Sequence, residues 1–133
     1  MAFKEQFDAM PINQLLGISL VEQLPGYGRI QLLINENTPE GIGGSVNGGV
    51  LATMVDMAML VAVFSSLSQN EEPAGTAELN ISYLRQAHGK KIFAVAKELK
   101  RGKQLVVCDV DIIDENDLLC AKARATYAFR APR

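Results

Sequence analysis

The stretch GGVLATMVDMAMLVAVFSSL, Gly48 to Leu67, is apolar around its whole circumference instead of along one stripe. A helix of that kind is stable only where other structure covers most of its faces, so the rest of the chain has to surround it. The apolar run from Val50 to Leu67 is near the lower length limit for a bilayer span. It also carries Asp56 in its first third and has no flanking Lys or Arg anchors, so a helix inside a soluble core is expected, not a membrane span.

The flanking sequence reads mostly as strands. Lys4 to Leu16 has the look of short helical turns interrupted at Pro11, since proline cannot continue a helix from within. Ile18 to Leu24 reads as a strand, PGYG at Pro25 to Gly28 as a turn, and Arg29 to Ile34 as the returning strand. Asn35 to Val46, rich in Gly and holding Pro39, is loop. After a break at Ser68 to Pro73, strands are expected at Gly75 to Leu84, Ile92 to Lys100, Gln104 to Ile113 and Leu118 to Phe129. Their short connections suit antiparallel neighbours. Ala121, Ala123, Ala125, Tyr127 and Phe129 share one face by the two-residue period, and small side chains there let a helix lie close. A turn at Asp114 to Asp117 would set Asp109 opposite Lys122 and put Cys108 and Cys120 on opposite faces, as buried thiols instead of a disulfide. The expected architecture is α+β, a curved antiparallel sheet wrapped around a long central helix, in a single domain over residues 1–133. Its open edges favour association between copies.

Composition narrows the function classes. Thirteen Lys+Arg against fifteen Asp+Glu give a formal net charge of −2, which offers no field for attracting nucleic acid. The start, MAFKEQFDAMP, has charges where a secretory signal would need an apolar core, so a cytoplasmic protein is expected. One histidine, His88, and cysteines on opposite faces leave no expected metal site. No G-x-x-x-x-G-K-[ST] is present, and GIGGSVNGG follows no clear strand of a βαβ unit, so nucleotide-binding folds are unsupported.

Gly48 and Gly49 stand where a loop enters the helix, and their amide N–H groups face the positive end of its dipole, a place suited to a developing oxyanion. Asp56 follows on the same helix, close enough along it for one substrate molecule to touch both regions. A buried carboxylate has to find partners, face an opening or hold its proton. Catalysis is compatible with each of these, and so is a structural acid at a subunit interface.

Three phrases, NGGVLATMVDMAM (Asn47 to Met59), GTAELNISYLRQA (Gly75 to Ala87) and LKRGKQLVVCDVDI with LLCAKARATYAF, make the chain resemble the hotdog-fold acyl-CoA thioesterases, specifically the phenylacetate-degradation type within the hydroxybenzoyl-CoA thioesterase superfamily. The resemblance covers nearly the whole chain. It implies hydrolysis of an acyl-CoA thioester in a homodimer or homotetramer, at sites between subunits, with coenzyme A as part of the substrate and no other cofactor. Gly48 and Gly49 match the motif glycines that polarise the carbonyl, and Asp56 matches the acid that attacks or activates water. Thr76 matches a Ser or Thr supplied by the neighbouring subunit to orient that water. The motif histidine is Asn47 here, an amide that can orient a carbonyl but cannot carry a proton. Lys100, Arg101 and Lys103 of the KRGK turn, and Arg85 of YLRQA, are candidates for the CoA phosphates. A hotdog domain that binds acyl-CoA without turning it over is the alternative.

Overall fold

A computed structural model describes residues 2–131. Two short helices, α1 (Phe3–Asp8) and α2 (Pro11–Leu16), precede a hairpin of β1 (Ile18–Leu24) and β2 (Tyr27–Leu33). A 3-10 turn at Ile42–Gly44 leads into the long helix α3 (Gly48–Phe64). The strands β3 (Pro73–Tyr83), β4 (Lys91–Arg101), β5 (Leu105–Asp114) and β6 (Leu119–Phe129) complete the chain. Pro11 opens α2 at its first position, where the missing N–H costs nothing, and Gly17 ends that helix at φ 80°, a left-handed conformation that favours glycine.

The strands form one six-stranded antiparallel sheet in the order β1-β2-β4-β5-β6-β3, with α3 packed across one face. Inward positions alternate along the strands as the two-residue period requires. Ile30 and Leu32, Ala94 and Ala96, and Val106 through Ile112 on the even positions all meet the helix side. So do Ala121, Ala123, Ala125, Tyr127 and Phe129, as the sequence pattern anticipates. Ten residues of α3 are buried, including Met54, Val55, Met59 and Val61. Each such aliphatic side chain contributes about 1.5–3 kcal/mol through its removal from water, which explains why a helix with no polar face is held here. The helix and sheet are in tight contact at Gly28 of β2. A Cβ built at Gly28 would lie 2.7 Å from Cβ of Val61. No helix among the described residues is long and apolar enough to cross a membrane.

Two expectations are corrected. β3 does not sit beside β4: it pairs with β6 at the far edge, and β4 lies between β2 and β5. The tight turns after β4 and β5 force hairpins, whereas residues 84–90 form a longer connection that lets the chain cross from one side of the sheet to the other. The β5–β6 register is also displaced by two residues from the expected one. Asp111 pairs with Lys122 and Asp109 with Arg124, because the turn extends to Asp117 at φ 63° and a bulge follows between Ile112 and Ile113. Since the shift is even, the faces are kept, and Lys122 Nζ still bonds both Asp109 and Asp111 at 2.7 Å. Cys108 and Cys120 are free and buried.

Candidate active site

Asn47 is the N-cap of α3. Its Oδ1 accepts the Gly49 N–H at 2.7 Å, and its backbone carbonyl accepts from Val50 and Leu51. An asparagine suits this position because a short side-chain acceptor can satisfy an amide that the helix leaves unpaired. The Asn47 Nδ2 donates to the Glu40 carbonyl at 3.5 Å. Among the described residues, the one first-turn amide left without a hydrogen bond is that of Gly48. Of the expected pair of oxyanion donors, the Gly49 N–H is occupied by the cap and the Gly48 N–H is not. The Asn47 Oδ1 is committed to capping, next to the Gly48 amide.

Gly48 lines a cavity of about 480 Å³ together with Gly41, Ile42, Ser45, Tyr83 and Arg85. Tyr83, to which the sequence alone assigns no role, is a member of this site. Its hydroxyl donates to the Gly48 carbonyl at 2.6 Å, and its ring lies 3.3 Å from where a Cβ on Gly48 would stand. The left-handed Gly43 and Gly44 turn the preceding loop, and the Ser45 hydroxyl closes it on the Ile42 carbonyl at 2.7 Å. Arg85 is exposed at this cavity, and its guanidinium makes no ion pair or hydrogen bond among the described residues.

Asp56 lies on α3 about two turns beyond Gly48, roughly 12 Å along the axis. It is half-buried, with no cationic partner among the described residues. The Thr76 hydroxyl donates to Asp56 Oδ1 at 2.5 Å. This bond lies within one chain, whereas the resemblance implies a Thr or Ser that orients the water from the neighbouring subunit. A single thioester carbonyl can serve an amide donor and an attacking group only if the two stand within about 7 Å, roughly 3 Å on each side of one C=O bond. Gly48 and Asp56 of one chain stand farther apart than that along the helix axis, and a water between the acid and the carbonyl carbon extends the reach by about 3 Å.

Tyr127 of β6 is the register partner of Thr76, and its place in the strand's alternation marks it only as core. Burial pushes its phenol above the ordinary value, and the charge of Asp56 adds to the effect. The period-two pattern marks Tyr127 as inward but says nothing of which helix residue it meets.

The basic turn divides. Lys100 and Lys103 are exposed and line a separate concavity of about 430 Å³ with Gly102, Gln104, Leu105 and Val107. Arg101 is corrected as a phosphate ligand. Its guanidinium folds inward onto Glu98 at 2.6 Å, Glu71 at 3.4 Å and the Val63 carbonyl at 2.6 Å, where it closes the C-terminal end of α3. Among the described residues, no group of three His, Cys, Asp or Glu side chains gathers in a way that could hold a metal ion.

The profile of the thioesterase superfamily matches residues 43–121. The chain is 32% identical over 134 residues to the medium/long-chain acyl-CoA thioesterase YigI of Salmonella typhimurium, covering 89% of this chain and 84% of the relative. Its Escherichia coli counterpart is 30% identical over the same shares. A conserved protein of Pseudomonas aeruginosa superposes with a TM-score of 0.86 at 26% identity, covering 97% of this chain and 100% of the other. The Escherichia coli PaaI protein of the phenylacetic acid degradation operon superposes with a TM-score of 0.82 at 21% identity, over 96% and 89% of the two chains, a likeness of fold. The sheet wrapped around α3 is thus the hotdog fold.

Proposed function

The chain belongs to the thioesterase superfamily, and from that membership we propose that it is an acyl-CoA thioesterase acting as one hotdog domain over residues 1–133. It hydrolyses the thioester to a free acid and coenzyme A. The observation that carries this reading is the state of Asp56: a half-buried carboxylate with no cation beside it, one oxygen fixed by the Thr76 hydroxyl and the other uncommitted. A carboxylate held in this way is a general base with a set direction.

In the proposed reaction Asp56 takes a proton from water as the water oxygen bonds to the thioester carbon. The carbonyl oxygen becomes an oxyanion facing the free Gly48 N–H. When the carbonyl re-forms, the C–S bond breaks, and the CoA thiolate leaves with its electron pair and is protonated. The resemblance to the hotdog thioesterases supports a site built from two copies, in a homodimer or homotetramer, with Gly48 from one and the Asp56–Thr76 pair from the other. Arg85 at the cavity and the exposed Lys100 and Lys103 are the proposed contacts for the CoA phosphates. The likeness to the YigI relatives supports medium or long acyl chains, and acyl-CoA as substrate supports a cytoplasmic setting.

The test is thiol release over a panel of acyl-CoAs that includes octanoyl, palmitoyl and phenylacetyl thioesters. Turnover of the longer straight chains is the expected result. Saturable binding with no free CoA from any thioester would instead identify an acyl-CoA-binding protein.

A further inference from the structure

We propose that Tyr127 is a further catalytic residue of this site, its phenolic oxygen anchoring the water that Asp56 deprotonates. The proposal rests on the thioesterase reading above and adds a residue to it. Tyr127 and Thr76 are directly opposite in the β3–β6 ladder, so their side chains leave the sheet on the same face. Thr76 spends its hydroxyl proton on Asp56 Oδ1. The phenol on the other side of this pair is uncommitted. Tyr127 is 6% exposed, yet its hydroxyl makes no hydrogen bond among the described residues. Buried tyrosines ordinarily find a partner for that group. Nor is the oxygen sealed, since the side-chain polar atom found both sealed and unpaired is Asn13 Oδ1. The Tyr127 oxygen is thus neither paired nor fully sealed, on a side chain next to the threonine that holds the acid.

The ring is held firmly enough to aim that oxygen. Phe64 and Phe129 pack edge-to-face against it, with centroids 5.7 and 5.5 Å away. A water that directs one proton to the free oxygen of Asp56 and the other to the phenol has a lone pair left pointing away from both, toward a carbonyl carbon. Desolvation and the nearby carboxylate keep the phenol protonated, so it orients the water and does not compete with Asp56 for its proton. No proton passes to or from Tyr127 in this step.

Tyr127→Phe removes the oxygen and keeps the ring packing. The expected result is a kcat lowered about tenfold, the worth of one hydrogen bond, with KM and Tm unchanged. An unchanged kcat overturns the proposal, and so does a kcat loss that runs parallel with a fall in Tm, which would reduce Tyr127 to a packing role. A second measurement needs no turnover. The chain has three tyrosines, and with ¹³Cζ-labelled tyrosine their titrations can be followed separately by NMR. In Asp56→Asn the Tyr127 midpoint should fall as the neighbouring charge is lost, and an unmoved midpoint overturns the proposal. The two readings fail differently: a wild-type protein that cleaves no acyl-CoA ends the thioesterase reading and takes Tyr127 with it. An active wild type matched by Tyr127→Phe ends only the role of Tyr127.

Discussion

Thr76 and Asp56, on an edge strand and on the central helix of the same chain, are joined by a 2.5 Å hydrogen bond from the threonine hydroxyl to Oδ1. That bond engages one carboxylate oxygen and leaves the other without a partner among the described residues. Asp56→Asn should lower thiol release by at least about a hundredfold, the lower end of what a positioned base supplies, with acyl-CoA binding retained. Thr76→Val keeps shape and loses the donor, and its kcat should fall about tenfold. Single turnover in ¹⁸O-water should place the label in the released acid; label found first in the Asp56 side chain would mean direct attack by the carboxylate.

The capping role of Asn47 separates from any contact with substrate by choice of variant. Serine is an equally good cap, so Asn47→Ser should keep both Tm and kcat. Asn47→Ala removes the acceptor for the Gly49 N–H, at a cost of about 1 kcal/mol. For a chain of this size that is a fall of roughly 4 °C in Tm, measurable by thermal melting. If Asn47→Ser lost activity while keeping its stability, Asn47 would be a substrate-orienting amide after all.

The cations of the basic turn and of the cavity are expected to differ in kind. Arg101→Gln leaves Glu98, Glu71 and the Val63 carbonyl without their shared partner and should cost about 2 kcal/mol, with KM for acyl-CoA unchanged. Arg85→Ala and Lys103→Ala should leave Tm alone and raise KM severalfold, an effect that shrinks as salt is added. Steady-state kinetics at two ionic strengths, together with melting curves, distinguishes the two groups.

Alkaline stability follows from Cys108. Burial is the main cause, with the charge of Glu98 adding to it, that pushes this thiol from 9.0 to about 12. The unfolded thiol therefore ionises first. Stability from this group is intact below pH 9 and is lost as the pH rises from there toward 12, by about one tenfold step in the folding equilibrium per pH unit. Denaturant melts across that range should show the loss in the wild type and a smaller one in Cys108→Ala. In the native protein at pH 8 neither buried cysteine should react with a thiol reagent.

The elements were legible in the sequence because each rests on a local signal. Pro11 marks a helix start, the run from Gly48 is too apolar for anything but a covered helix, and the alternation from Ala121 to Phe129 names its own inward face. Strand order was not legible, since the placement of β3 beside β6 depends on which edge is left open once the hairpins have formed. The site was legible to the same extent. Asp56 stands out as an acid in an apolar run, but that Thr76 serves it within the chain and that Arg101 turns inward are facts of tertiary contact. No spacing rule contains them.

Gly28 gives the site a dependence on a distant strand. With no side chain at that point, β2 meets α3 backbone to side chain at Val61, little more than a turn above Asp56. The height of the helix over the sheet is thereby fixed from the side of the sheet opposite to Thr76. A single methyl at position 28 would lift the helix like a shim and lengthen the Thr76–Asp56 bond, so the setting of the proposed base depends on a strand at the other side of the sheet.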